Sequence, residues 1–282
     1  MAQRHILCIG AHPDDNELSV GGTAAKLRAR GDAVKFVSVT NGDKGHFYEE
    51  YKQDPSKLAA RRLIEAQNAA AVIGASYQTL GVHDGEVYVD LPTTEAMVRC
   101  IRTFGEPGKG PDLVLLNRPV DYHRDHRYSA QLVLDATYML TVPLMCPDTR
   151  HLDRMPVFAY WYDDFRDLVP FRADIAVPID DVIEQKIDMA CAHVSQMFEW
   201  LPYNGGHLDR VPPESDAAGR REMIAKSVRA RGEHRRQKVS AALEQWFGPI
   251  DAHYAEAFQI CEYGRVPSED ELRDLFPMTW TI

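Results

Sequence analysis

Two kinds of segment alternate along the first two thirds of this chain. Short, almost wholly apolar runs are separated by longer stretches with a helical period. Residues 6–10 (Ile-Leu-Cys-Ile-Gly) are too few for a helix and end in glycine, so they read as a buried strand. Residues 21–30 read as a helix, with Ala24, Ala25 and Leu27 inside and Lys26, Arg28 and Arg30 outside, stopped by Gly31. Residues 34–39 follow as a strand rich in β-branched and aromatic side chains. The helix 56–73 has an apolar face of Leu58, Ala59, Leu63, Ala66, Ala70 and Ile73. Strands are predicted at 77–81, 112–117, 157–162 and 173–179. Helices are predicted at 93–104, 128–140 and 182–199, the last with Asp180 as its N-cap. Strands alternating with helices imply right-handed βαβ units. The predicted fold is therefore α/β: a Rossmann-like three-layer sandwich, its mostly parallel sheet covered by helices on both faces.

The pattern changes near Leu201, where loops lead into a charged helical stretch over 216–247. Arg220, Arg221, Arg229, Arg231, Arg235 and Arg236 mix there with Glu222 and Glu233. Mixed signs read as a solvated helix face in preference to a site for an anionic substrate. We assign 1–200 to the main α/β domain and 201–282 to a C-terminal extension packed on it. Trp200, Phe247 and Trp280 would serve there as core or as an oligomer interface.

Composition narrows the function. The formal net charge of -10 disfavours a nucleic-acid partner, since phosphate backbones need positive surface. No apolar run approaches the ~18 residues of a membrane span. The five scattered cysteines suggest no disulfide framework, and no signal-peptide core precedes the first strand. The expectation is a soluble, cytoplasmic enzyme.

The chemistry concentrates at two strand ends. Ala11-His12-Pro13-Asp14-Asp15-Asn16-Glu17 follows the first strand and Asp121-Tyr122-His123-Arg124-Asp125-His126 follows the fourth. In parallel sheets ligands bind beyond the carboxyl ends of the strands. His and carboxylate together suit zinc. Ala-His-Pro-Asp-Asp-x-Glu, followed by Gly21-Gly22-Thr23, resembles the signature of the PIG-L / LmbE-like zinc-dependent N-acetylglucosaminyl deacetylases, and His-x-Asp-His resembles that family's second element.

The resemblance implies a zinc ion held by His12, Asp15 and His126. It also implies that Arg62 and Asp84 contact the substrate, a small N-acyl amino sugar or glycoconjugate. The family's terminal Glu-x-Phe element matches Glu256-Ala257-Phe258. Asp14, beside a ligand, is the natural general base, and a protonated His123, oriented and kept charged by Asp125, would stabilise the oxyanion. The expected reaction is hydrolytic removal of acetyl or another acyl group. Two alternatives compete. One is a Mg²⁺-dependent phosphoryl-transfer or phosphatase-type enzyme, which the histidines disfavour because Mg²⁺ prefers oxygen. The other is a carbohydrate-binding protein that keeps its metal without catalysing.

Overall fold

The computed structural model describes residues 3–278. Seven strands form one sheet in the order β3-β2-β1-β4-β5-β7-β6. They are β1 (His5–Gly10), β2 (Ala33–Thr40), β3 (Ser76–Val82), β4 (Leu113–Leu116), β5 (Val157–Trp161), β6 (Ile175–Pro178) and β7 (Ala255–Ile260). The helices are α1 (Asp15–Arg30), α2 (Glu49–Gln53), α3 (Pro55–Val72), α4 (Leu91–Arg102), α5 (Arg124–Met139), α6 (Ile183–Ala192), α7 (Leu201–Asn204), α8 (Ala217–Lys238), α9 (Ser240–Phe247) and α10 (Glu269–Leu275). All pairings from β3 to β5 are parallel, and β7 runs antiparallel to both β5 and β6.

Alternation along β1 separates two cores. Ile6 and Cys8 pack beneath α1, α3, α6 and α8, with Val20, Ala24, Ala69, Ile187 and Val228. Leu7 and Ile9 pack on the other face beneath α4 and α5, with Met97, Ile101, Leu132 and Val133. The result is the α/β sandwich with helices on both faces that the sequence pattern predicts. Among the described residues no helix is long and apolar enough to cross a membrane. Trp200 and Phe247 are half-buried; Trp280 lies outside the described residues.

Several elements differ from expectation, each for a local reason. Helix α1 starts at Asp15, six residues before the predicted start. Gly21 and Gly22 sit inside it as packing positions: a Cβ on Gly22 would lie 2.7 Å from Ile179 Cγ2. Helix α5 starts at Arg124, because the His123 side chain caps it by accepting the Asp125 N–H at 3.2 Å. Its polar first turn hid that start.

The predicted helix 182–199 breaks at His193, after which a π-helical turn covers Ser195–Trp200. Asp180 is no N-cap; its carboxylate accepts the N–H groups of His253 and Tyr254 at 2.8 and 3.2 Å. The stretch 216–247 divides at Val239 into α8 and α9.

The C-terminal third completes the sheet. Strand β7 inserts between β5 and β6, and its fully buried Glu256 accepts the Gly22 and Thr23 N–H groups at 2.9 and 2.7 Å and pairs with Lys186. The Glu-x-Phe element thereby clamps α1, the helix that carries the first motif, to the sheet.

Candidate active site

Strand order reverses beside β1, which has β2 on one side and β4 on the other. Such a switch point opens a crevice at the carboxyl ends of the two strands. Both motifs leave the sheet there. Gly10 ends β1 without a side chain, and Asp15 curls back over it; a Cβ on Gly10 would lie 2.6 Å from Asp15 Cβ. The curl lets Asp15 Oδ2 accept the N–H groups of Ala11 and His12, both at 2.8 Å. It also aims the carboxylate at the imidazoles.

Three side chains converge. His12 Nδ1 is 3.2 Å from His126 Nε2. Asp15 places Oδ2 3.6 Å from His12 Nδ1 and Oδ1 3.5 Å from His126 Nε2. Ligand bonds of about 2.0–2.2 Å in a tetrahedron put neighbouring donor atoms roughly 3.3 Å apart, so the imidazole separation matches a zinc ion, and Asp15, touching the two rings with different oxygens, lies within reach of it. The outer nitrogens are engaged as metal-binding histidines require. His126 Nδ1 meets Asp121 Oδ2 at 2.9 Å, and His12 Nε2 meets Asp84 Oδ1 at 3.2 Å and Asp125 Oδ2 at 3.4 Å. Donor atoms of His12, His123 and His126 also lie within 4.8 Å of one another, as do those of His12, Asp84 and Asp125. His12 belongs to every one of these sets.

The electrostatics point to a cation. Burial lowers the affinity of His12 for a proton, but Asp125, Asp15 and Asp84 outweigh it and raise the pKa well above the usual imidazole value. His126 is raised likewise, Asp15 and Asp121 overcoming burial. Asp15 is held low despite burial, by His126 and His12. Positive charge is thus favoured where the three donors meet, and a divalent ion would supply it.

Asp14 stands beside this cluster, 8% exposed. Its backbone is held at φ 156°, ψ -21°, a conformation costly for a non-glycine residue and tolerated mainly at functional sites. Burial raises its pKa, and Asp15 adds to the rise while Arg62, His193 and His12 oppose it.

Arg62 is neither a group open to substrate nor a surface partner of Glu65. It is 2% exposed and lies beneath the motif. It donates to Pro13 O at 2.9 Å and Gly42 O at 3.3 Å and approaches Asp14 Oδ1 at 3.4 Å. Glu65 pairs instead with Arg61 and Ser195.

Three further expectations change. Asp125 does not orient His123 through its carboxylate. Its backbone N–H donates to His123 Nδ1, while its fully buried carboxylate serves His12 and accepts the Gly85 N–H at 2.6 Å. Nor is His123 held charged: burial, His12 and His126 lower its pKa. With Nδ1 accepting, the neutral ring carries its proton on Nε2. Asp84, expected at the substrate, lies against His12. Glu17, last in the first motif, is fully buried 3.4 Å from His193 Nε2. The role of Asp121 beside His126 was not legible in the sequence; a carboxylate five residues before a candidate ligand was its only signal.

Asp121→Asn is expected to lower metal affinity about 10–100-fold, because an amide holds the His126 tautomer less firmly. Zinc titration against a competing chelator measures it.

The PIG-L family, described as GlcNAc-PI de-N-acetylase, matches residues 7–137, a span that contains both motifs. The diacetylchitobiose deacetylase of Thermococcus kodakarensis is 28% identical over 215 residues, covering 71% of this chain and 74% of the relative. Among solved structures, the N,N'-diacetylchitobiose deacetylase of Pyrococcus horikoshii superposes with a TM-score of 0.68 at 22% identity, over 92% of this chain and 84% of that one. The 4-carboxy-2-hydroxymuconate hydratase of Pseudomonas putida KT2440 superposes with a TM-score of 0.67 at 19% identity, over 95% and 99%. At such identities the two structures speak for the fold, which serves more than one reaction. Residues 7–137, which contain both motifs, are thus similar to a PIG-L (LmbE-like) domain.

Proposed function

We propose that the protein is a zinc-dependent hydrolase that removes acetyl, or another small acyl group, from an N-acylated amino sugar or sugar conjugate. The observation that carries this reading is the meeting of His12 Nδ1, His126 Nε2 and the Asp15 carboxylate at 3.2–3.6 Å, each imidazole backed by a carboxylate, with Asp14 alongside. His12, Asp15 and His126 would hold the ion. When bound, zinc supplies Lewis acidity that lowers the pKa of a coordinated water to about 7.

The rest of the chemistry belongs to the side chains. Asp14 takes a proton from the attacking water at a carboxylate oxygen, and its raised pKa suits it to do so. The same carboxyl then delivers that proton to the departing amine nitrogen. His123 donates from Nε2 to the carbonyl oxygen as negative charge grows there. Arg62 positions Asp14, and Asp84 and Asp125 fix His12. The products are a carboxylic acid, acetate in the simplest case, and a free amine.

The likeness to diacetylchitobiose deacetylases supports an N-acetylated sugar as substrate. Two imidazoles among three converging donors argue against Mg²⁺-dependent phosphoryl chemistry. Asp14, strained and poised beside the donors, argues against a binding protein without turnover. Acetate release from a panel of N-acetylated mono- and disaccharides by zinc-loaded protein tests the reading. Release from at least one member is expected. Silence across the panel, with hydration of an unsaturated carboxylate in its place, would transfer the site to the hydratase chemistry of the Pseudomonas relative.

A further inference from the structure

Strand β5 ends at Trp161 beside β4, whose own carboxyl end leads into the second motif. The loop 162–170 that follows β5 is held by one buried side chain. Arg118 meets the two carboxylate oxygens of Asp163 through Nε and Nη2, both at 2.6 Å, and donates to Phe165 O at 3.1 Å and Val169 O at 2.8 Å. Asp163 in turn accepts the Phe165 N–H at 3.0 Å. A two-pronged pair of this kind fixes geometry as well as contributing energy.

What this anchorage displays is apolar. Leu168 is 89% exposed, and Val169 beside it is exposed too. The Val169 N–H donates to Asp167 O at 2.9 Å, so Leu168 is the centre of a three-residue γ-turn, at a φ of 67°. That conformation is strained for a residue with a branched side chain, and strain held in place by its surroundings gathers at binding sites. Phe165 also borders a crevice of about 200 Å³ between the loop and the α8–α9 junction, lined in part by Tyr162, Pro170 and Phe171. A chain of a few carbons fits in that space.

Ring contacts connect the loop to the catalytic groups. Centroids lie 4.7 Å apart for His12 and His123, 5.9 Å for His123 and Tyr122, and 6.2 Å for Tyr122 and Phe165. Tyr122 is 80% exposed, yet its backbone is fixed, because Arg127 donates to Asp121 O at 2.6 Å and Tyr122 O at 2.9 Å. An aromatic side chain open to solvent, one residue from His123, stands at the mouth of the site. Exposed apolar groups that are contiguous with a site mark what that site binds.

We propose that Tyr122 and Phe165, extended by Leu168 and Val169, form an apolar subsite at the mouth of the active site, and that it takes an alkyl or aryl extension of the substrate. Such an extension has two sources, the acyl chain and the group on the anomeric oxygen of the sugar. The choice of substrates rests on the deacylase reading above; the apolar subsite does not.

The test measures kcat/KM in two arms with zinc-loaded protein. One arm compares the hexyl with the methyl glycoside of N-acetylglucosamine, and the other compares N-hexanoyl with N-acetyl glucosamine. Wild type should prefer the longer member about tenfold or more in one arm, which identifies the source. That preference should fall about threefold in Leu168→Gly and vanish in Tyr122→Ser/Phe165→Ser. Glycine adopts a positive φ freely, so the loss in Leu168→Gly does not come from a disturbed turn. No preference in either arm, or a preference that the double variant keeps, overturns the subsite. So does an oligomer of wild type that the double variant dissociates in sedimentation, since the rim would then be covered by a second copy of the chain.

If none of these sugars is hydrolysed, the deacylase reading fails for them, and calorimetry decides the subsite by itself. Hexyl and methyl glucoside are titrated into wild type and double variant. Tighter binding of the hexyl glucoside by wild type, weakened about tenfold in the variant, supports the subsite. Absent binding, or equal binding by the two proteins, overturns it.

Discussion

Asp14→Asn is expected to lower kcat by about 10²–10⁴-fold while the protein keeps its metal and its fold. The substitution is nearly isosteric, and asparagine tolerates unusual backbone conformations such as the φ of 156° found here at least as well as aspartate. What is lost is the ability to accept a proton. Wild type should lose kcat/KM as pH falls through the Asp14 pKa, because only the carboxylate is a base. Burial sets that pKa above the ordinary carboxylate range, so the acid limb should lie above it too. In Asp14→Asn the limb assigned to this group should disappear. Metal analysis with full pH profiles of both proteins checks the whole set. A variant that turns over at the wild-type rate would remove Asp14 from the chemistry.

Arg62→Met should damage stability and activity together. The side chain is 2% exposed and holds two backbone carbonyls, Pro13 O and Gly42 O, as well as the Asp14 carboxylate. Methionine fills much of the volume but leaves a buried carboxylate and two acceptors without their donor. Breaking a buried pair by removing one partner costs about 3–5 kcal/mol. In a chain of this size that is a fall in Tm of roughly 10 °C. Arg62 also opposes the rise in the Asp14 pKa, so the acid limb of the pH profile should move to higher pH in the variant. Calorimetric melting and the pH dependence of kcat/KM give both readouts. A Tm and a limb that both stay in place would make Arg62 a spectator.

The layered fold and the meeting of the two motifs were legible because each signal is local. A five-residue apolar run ending at Gly10 can hardly be other than a buried strand, and the βαβ rhythm sets the side of the sheet on which His12 and His126 emerge. What was not legible depends on contacts distant in sequence. The partner of Asp125 is His12, 113 positions away in the chain by subtraction of their numbers, and spacing within the second motif pointed to His123 instead. Arg62 and Glu65 share a helix at ion-pair spacing, yet burial sends them to different partners. Gly21 and Gly22 looked like a helix boundary and are contact points, because the close approaches of Met189 and Ile179 are tertiary facts. The same limit applies to α8, where mixed charge could not separate Arg221 and Arg229, paired with acids of α6, from arginines such as Arg220 and Arg236 that hold backbone carbonyls.

Whether His12, Asp15 and His126 hold one ion on which amide cleavage depends is decided by titrating zinc into metal-free protein while following hydrolysis of an N-acetylated sugar. The account predicts a rate that climbs to a plateau at about one zinc per chain in wild type, and neither binding nor turnover in His126→Ala. Full turnover by the metal-free protein, or equal zinc affinity in His126→Ala, would contradict it.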